Sequence, residues 1–294
     1  MPDAQGNRAL TIGLVLNAAQ ARLKSAGVDT PRLDAILLLA EASAMSEDHI
    51  RSRPEAPLTP EAGTAFEAML QRRLRREPVS KIIGRREFWS LEFRTSPDVL
   101  DPRADSETLA AGVLAAIPDR AASLRIVDFG TGSGCLLLSL LHELPNATGV
   151  GIDVSPPALA IAQDNADRLG MSSRCIFRLG SWGRGIEGTF DILMSNPPYI
   201  ESGGVPGLEP EVADYDPLLA LDGGADGLDA YRALLPDMAR LAVKNALAAL
   251  EVGMGQDVAV SHLLAGAGFG QIAVLPDLSG IGRVVTGRKS VQIP

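Results

Sequence analysis

Two stretches of the chain carry groups whose order suits chemistry on a bound small molecule. The first runs Asp128-Phe129-Gly130-Thr131-Gly132-Ser133-Gly134, an apolar strand entering three alternate glycines that open a helical pattern at Cys135. Glycine allows a sharp backbone turn and lets a ligand approach with no side chain in the way. The spacing is Gly-x-Gly-x-Gly, not the Gly-x-Gly-x-x-Gly of the dinucleotide fingerprint, because Cys135 fills the sixth position. Nineteen residues after Gly134 the next strand-like run ends in Asp153, an acid able to accept hydrogen bonds from both hydroxyls of a ribose. Together these point to an adenine nucleoside ligand, S-adenosylmethionine (AdoMet) ahead of NAD. The alternative is a close-packed strand-to-helix turn beside a solvated aspartate.

The second stretch is Phe190-Asp191-Ile192-Leu193-Met194-Ser195 followed by Asn196-Pro197-Pro198-Tyr199. The prolines fix the backbone and have no N–H, so nearby carbonyls remain free acceptors. The Asn196 side-chain oxygen and the Pro197 carbonyl can then receive the two N–H groups of a planar NH₂. That pairing selects an amide or an aromatic exocyclic amine and aims its nitrogen at a methyl donor. Tyr199 offers a wall for a flat group.

The elements that must position these groups come in two styles. Ala9 to Ala26 has apolar residues at helical spacing (Ile12, Val15, Leu16, Ala19, Leu23) and stops at Gly27. Thr30-Pro31 and Thr59-Pro60 each read as a threonine cap with proline in the first helical position. The helix after Thr59 buries Phe66, Met69, Leu70 and Leu74, and its Arg72, Arg73, Arg75 and Arg76 read as a solvated helix end. Between Pro78 and Val99 short β-like runs, Lys81–Ile83, Glu87–Trp89 and Leu91–Phe93, suggest a linking hairpin turning at Gly84 and Ser90. From Leu124 onward strands alternate with helices. The strands are Leu124–Phe129, Thr148–Asp153, Cys175–Leu179, Phe190–Ser195, Ala246–Val252, Gln271–Leu275 and Arg283–Gly287. The helices are Cys135–Leu144, Pro156–Leu169, Ala230–Ala242 and Gln256–Ala265. Such alternation implies a mainly parallel sheet with ligands at the strands' carboxyl ends.

Composition excludes other classes. The 294 residues carry 27 Lys and Arg against 36 Asp and Glu, a formal charge of −9, the opposite of a chain that coats a nucleic acid backbone. The deficit sits after residue 100, where 13 basic side chains face 23 acidic ones. Two cysteines and three scattered histidines have no metal-ligand spacing, so no metal is expected, and the cysteines read as buried small hydrophobes. Neither a secretory signal nor a membrane span is apparent, which makes a cytoplasmic location the expectation.

With these motifs in place, the sequence resembles the glutamine-N5 methyltransferases of class I peptide chain release factors (the PrmC/HemK family) over nearly its whole length. Glu77-Pro78-Val79, Ile83-Gly84 and Phe88 are similar to that family's linker, and Asp101-Pro102-Arg103-Ala104-Asp105-Ser106-Glu107-Thr108 to its Pro-Arg-x-Asp/Glu-Ser/Thr-Glu segment. Leu208-Glu209-Pro210-Glu211-Val212, Tyr215-Asp216-Pro217, Ala220-Leu221, Gly223-Gly224-Ala225-Asp226-Gly227-Leu228 and Tyr231-Arg232 resemble its loop after Asn-Pro-Pro-Tyr. Two departures stand out: Ala104 replaces a common proline, and Lys244-Asn245 occupies a place where a Pro-Gly-Gly turn often precedes the fifth strand.

The resemblance implies a Rossmann-like class I AdoMet-dependent methyltransferase with a seven-stranded, mainly parallel sheet, preceded by a small helical bundle and a hairpin. The implied boundaries are 1–76 for a substrate-docking bundle, 77–100 for the linker and 101–294 for the methyltransferase domain. It implies AdoMet contacts from Gly130, Thr131, Gly132, Ser133 and Gly134, from Asp153, from Trp182 and from Asn196. Asn196, Pro197, Pro198 and Tyr199 would hold the substrate glutamine, with Asn196 and Pro197 as catalytic residues. The implied partner is a class I release factor, methylated at the glutamine of its Gly-Gly-Gln motif, with no nucleic acid target and no membrane. An adenine-N6 or guanine-N2 nucleic acid methyltransferase is the alternative, since Asn-Pro-Pro-Tyr alone is shared with adenine-N6 methyltransferases. Glu201 to Asp229 holds eight acids and no Lys or Arg, which would repel phosphate and could complement a basic protein partner.

Overall fold

The computed structural model describes residues 10–290, in two compact units. One runs up to Gly84 and takes in the distant segment Glu209–Tyr215; the other holds Arg85–Leu208 and the chain from Asp216 onward.

The first unit is helical: α1 (Ile12–Ser25), α2 (Pro31–Ser43), α3 (Glu47–Ser52), α4 (Pro60–Leu74) and α5 (Val79–Ile83). Ile12, Leu16, Ala19 and Leu23 form the buried face of α1 and meet Ala35, Ile36, Leu38 and Leu39 of α2 and Phe66 and Leu70 of α4. Thr59 caps α4 as expected, its hydroxyl accepting from the Ala62 N–H at 3.2 Å. Thr30 does not cap α2; it donates instead to Asp34 Oδ1 at 2.7 Å. Lys81–Ile83 is helical, not β-like. A three-residue apolar run carries no period of its own, and burial of Ile82 in the bundle with left-handed Gly84 closing the turn decides the matter.

Nor is the arginine cluster a solvated helix end. Arg73 is buried and its Nε donates to Asp34 Oδ2 at 2.6 Å, while Nη1 donates to Glu211 Oε1 at 2.8 Å. Glu211 also receives Arg76 Nε at 2.6 Å, and Lys81 Nζ donates to the Tyr215 carbonyl at 2.7 Å. Glu211 is therefore a counterion within its own unit and is not free to meet a partner, as a purely solvated acidic loop would be. Sequence spacing could not show this, because the partners lie far apart along the chain.

The second unit begins with a hairpin, β1 (Arg85–Phe88) and β2 (Leu91–Arg94), turning at left-handed Trp89 and Ser90. A short turn at Ala104–Ser106 leads into α6 (Glu107–Ala115), a helix that the sequence reading did not mark. Then follow β3 (Arg125–Phe129), α7 (Cys135–Glu143), β4 (Thr148–Asp153), α8 (Pro156–Arg168), β5 (Cys175–Leu179) and β6 (Phe190–Ser195). After α9 (Pro210–Ala213), part of the first unit, come α10 (Asp229–Leu241), β7 (Ala242–Glu251), α11 (Asp257–Gly266), β8 (Phe269–Pro276) and β9 (Gly282–Lys289).

The seven strands β3 to β9 form one sheet in the order β5-β4-β3-β6-β7-β9-β8, parallel except for β9, which runs antiparallel to both neighbours. Both faces are covered, which is why the central strands read as continuous apolar runs. Ile126, Ile192, Met194 and Leu247 pack under α6 and α7; Val127, Phe129, Leu193 and Leu250 pack under α10 and α11. Lys244-Asn245 does not form a turn ahead of the strand. It lies inside β7, where Asn245 takes a left-handed φ of 65° and the register to β6 shifts.

The buried Asp34–Arg73–Glu211 network yields a stability prediction. Arg73→Met should destabilise the helical unit by about 3–5 kcal/mol, because it leaves the Asp34 carboxylate buried without its cation, while Glu211 keeps Arg76. Adding Asp34→Asn should recover part of that loss. Denaturant unfolding of the intact chain, followed for both variants, measures the difference.

Candidate active site

The chain leaves β3 outward to β4 and β5, then returns to β6 on the other side of β3. That reversal opens a crevice at the carboxyl ends of β3, β4 and β6. Phe129 pairs with Ile152 on one side and Ser195 on the other. The glycine turn, Asp153 and Asn196 therefore begin one residue beyond the same row of the sheet. Ser195 Oγ donates to the Phe129 carbonyl at 2.6 Å and locks the two strand ends together.

Gly130, Gly132 and Gly134 all have positive φ (73°, 54° and 79°), a region that costs residues with a Cβ. A Cβ on Gly130 or Gly132 would enter open space, whereas one on Gly134 would press on Ala162 and Leu138 at 3.3 Å. The first two keep a cradle clear, and the third lets the turn pack on its neighbours. Asp153 Oδ2 accepts the Gly132 N–H and its Oδ1 the Ser155 N–H, each at 2.9 Å. Each oxygen keeps a further lone pair for a hydroxyl. Thr131 Oγ1 donates to Asp128 Oδ2 at 2.8 Å, and Ser133 lends its carbonyl to Asn165 Nδ2 at 2.9 Å. Asn165, absent from the sequence reading, also exchanges hydrogen bonds with both backbone groups of Arg94 and so ties the turn to the hairpin.

Asn196 Nδ2 donates to Ser106 Oγ at 3.2 Å. With its NH₂ engaged, the amide offers Oδ1 as its acceptor. Pro197 is buried, and Pro198 and Tyr199 are half-buried. Tyr199 is held at both ends. Its hydroxyl donates to Glu251 Oε1 at 3.3 Å, and its carbonyl accepts Gln256 Nε2 at 2.9 Å. Gln256 Oε1 in turn receives the Gly253 N–H at 3.0 Å. The glycines of the following loop pack on the same backbone. A Cβ on Gly227 would lie 2.4 Å from the Tyr199 carbonyl, and one on Gly223 2.8 Å from that of Pro198. Arg103 reaches Asp216 Oδ2 at 2.5 Å and anchors the Pro102–Ser106 segment despite alanine at 104.

Trp182 stands after β5 with φ 51°, half-buried among residues of the core under α10 and α11. Desolvation pushes the Cys135 thiol up to about 12, which leaves it no nucleophile. Among the described residues no three metal-ligating side chains come together, and no helix is long and apolar enough to cross a membrane.

Known proteins share both this layout and its sequence. The PrmC N-terminal domain profile matches residues 15–84, and a methyltransferase domain profile matches residues 121–231. Release factor glutamine methyltransferase of Rhodospirillum rubrum is 43% identical over 293 residues, spanning 100% of this chain and 90% of that protein. That of Caulobacter vibrioides is 42% identical over 282 residues, spanning 96% and 97%. The chain belongs to the release factor glutamine methyltransferase family. Its fold is also that of the T. thermophilus 16S rRNA N2 G1207 methyltransferase (RsmC) in complex with AdoMet and guanosine. That match has TM-score 0.52 and 18% identity, covering 70% of this chain and 49% of that one.

Two buried carboxyls give the enzyme a pH signature. Burial lifts Asp128 to about 7, opposed by the Thr131 hydroxyl and aided by the charge of Asp153. Burial likewise lifts Glu251 to about 7, against the Ser106 hydroxyl and the Arg283 charge. Between about pH 4 and pH 7 the folded state thus holds protons that the unfolded chain releases. Stability should fall as pH rises through that window. Thermal melts of ligand-free protein should show Asp128→Asn gaining more over wild type at about pH 8 than at about pH 5.

Proposed function

We propose that this enzyme transfers a methyl group from AdoMet to the side-chain amide nitrogen (N5) of the glutamine in the Gly-Gly-Gln motif of class I release factors. The observation that carries the reading is the pair of acceptors, Asn196 Oδ1 and the Pro197 carbonyl, at the end of β6 beside the cradle of Gly130 to Gly134. Bound AdoMet supplies an electrophilic methyl group. The residues that would hold it are Gly130, Thr131, Gly132, Ser133, Gly134, Asp153, Trp182 and Asn196. Asp153 suits the ribose, and the open space at Gly130 and Gly132 suits a ligand lying across the turn.

The substrate amide is a weak nucleophile because its lone pair is delocalised, so orientation must do most of the work. Well-positioned reactants can gain about 7–11 kcal/mol in this way. Two acceptors on the NH₂ fix its plane and favour the positive charge that develops on nitrogen. The proton leaves to solvent after transfer, so no dedicated base is required. Pro198 and Tyr199 wall the glutamine, and the helical unit serves to dock the release factor. Two small residues before the glutamine allow an extended loop to reach a narrow site.

Incubation with tritiated AdoMet and a purified release factor should place the label on the Gly-Gly-Gln glutamine and leave adenine-containing DNA unlabelled. Labelling of DNA with none in the factor would overturn the reading. Asn196→Ala should lose most methyl transfer while still binding AdoMet. Gly132→Ala and Asp153→Ala should weaken AdoMet by roughly 1.5–3 kcal/mol, about ten- to a hundredfold in Kd. Calorimetric titration with wild-type affinity for both would sink the cofactor site.

A further inference from the structure

Two loops hold the backbone of the acceptor turn, and each leaves large apolar side chains in solvent. The first contains the short turn Leu218–Ala220. The Leu221 carbonyl that follows accepts the Ile200 N–H at 3.0 Å, and the Ile200 carbonyl accepts the Gly223 N–H at 2.8 Å. Leu221 is buried, whereas Leu218 and Leu219 are 60% and 74% exposed. The second loop runs from Gly253 into the first turn of α11. A Cβ on Gly253 would lie 3.1 Å from Tyr199 Cδ2, and Gln256 holds the Tyr199 carbonyl. Val252 and Val260 on either side are buried, whereas Met254 and Val258 are 77% and 61% exposed. A single exposed leucine is ordinary on a protein surface. Four such side chains on the two loops that pin one turn are a local concentration, and concentrated apolar surface marks a contact site.

Charge is not what these loops have to spare. Asp216 pairs with Arg103, and Asp226 and Asp229 pair with Arg232. Asp222 accepts the Ser202 hydroxyl and the Gly224 N–H. Apolar contact is what they can offer a partner.

We propose that Leu218, Leu219, Met254 and Val258 form an apolar rim of the acceptor site that docks apolar side chains flanking the Gly-Gly-Gln motif of the release factor. The inference rests on the methyl-transfer reading above and names what holds the protein substrate there. Two glycines and an amide side chain present little apolar surface, so the rim must meet the residues on either side of them. Contacts away from the reacting atoms stabilise ground state and transition state alike, so the rim acts on KM and leaves kcat unchanged.

Two paired variants of the full chain test this, Leu218→Ser with Leu219→Ser and Met254→Gln with Val258→Thr. All four side chains are exposed, so melting temperature and AdoMet affinity should stay near wild type. KM for a purified class I release factor should rise about ten- to a hundredfold in each pair, with kcat unchanged. Leu218→Met with Leu219→Met should keep a KM near wild type. Calorimetric titration of the factor into enzyme saturated with S-adenosylhomocysteine reads docking without turnover. The serine pair should bind more weakly and with a less negative heat-capacity change, and the difference should persist at high salt. Wild-type KM and Kd in both pairs, a loss confined to kcat, or a difference that vanishes at high salt would each overturn the proposal. So would sedimentation showing that wild type self-associates and the serine pair does not, which would assign the rim to a second copy of the chain. If wild type binds the factor through the rim yet labels no glutamine, the functional reading falls and the rim stands. If wild type does not bind the factor, both fall.

Discussion

The parallel pairing of β3 with β6 is the constraint on which the site depends. It sets Phe129 opposite Ser195, so the strand that ends in glycines and the strand that ends in Asn-Pro-Pro-Tyr stop at the same level. One end is built from backbone made accessible by glycine. The other is built from acceptors made available by proline. Because side chains alternate across a strand, a slip of one residue would turn each core-facing set to the wrong layer. The two packed helical layers therefore hold the register, and the register holds the chemistry.

Around that row the structure uses buried and half-buried polar groups for orientation. Asn165 ties the glycine turn to the hairpin, Asp153 holds the Gly132 N–H, and Gln256 fixes the Tyr199 carbonyl. These bonds are modest in net stability, about 0.5–1.5 kcal/mol for the neutral pairs and about 1.5–3 kcal/mol for the one to Asp153. Their value lies in restricting motion where a reaction without a strong nucleophile requires alignment. The raised affinity of Asp128 and Glu251 for protons is the cost of burying carboxyls for this purpose.

Much of this was legible in the sequence. Thr148–Asp153, Cys175–Leu179 and Phe190–Ser195 stand out as strands with their observed bounds, because short runs rich in Val, Ile, Phe and Leu between turn residues have few other solutions. The cradle and the acceptor turn were legible for a related reason: glycine and proline restrict the backbone locally. What the sequence concealed is tertiary. Ser106, Glu251, Gln256 and Asn165 are ordinary polar residues until the fold brings them to Asn196, Tyr199 and Ser133. Arg73 looks like any helix-terminal arginine until Asp34 and Glu211 reach it. Lys81–Ile83 was too short to show a period, and Asn245 could enter a strand only by taking a left-handed bulge.

The central claim is that an edge of acceptors, Asn196 Oδ1 and the Pro197 carbonyl, grips both N–H groups of a glutamine amide. A crystal structure with S-adenosylhomocysteine and a Gly-Gly-Gln peptide measures this directly. The account predicts the glutamine amide nitrogen within about 2.7–3.2 Å of both oxygens. A glutamine bound through its carbonyl oxygen, with its nitrogen turned away from Asn196 and Pro197, would contradict it.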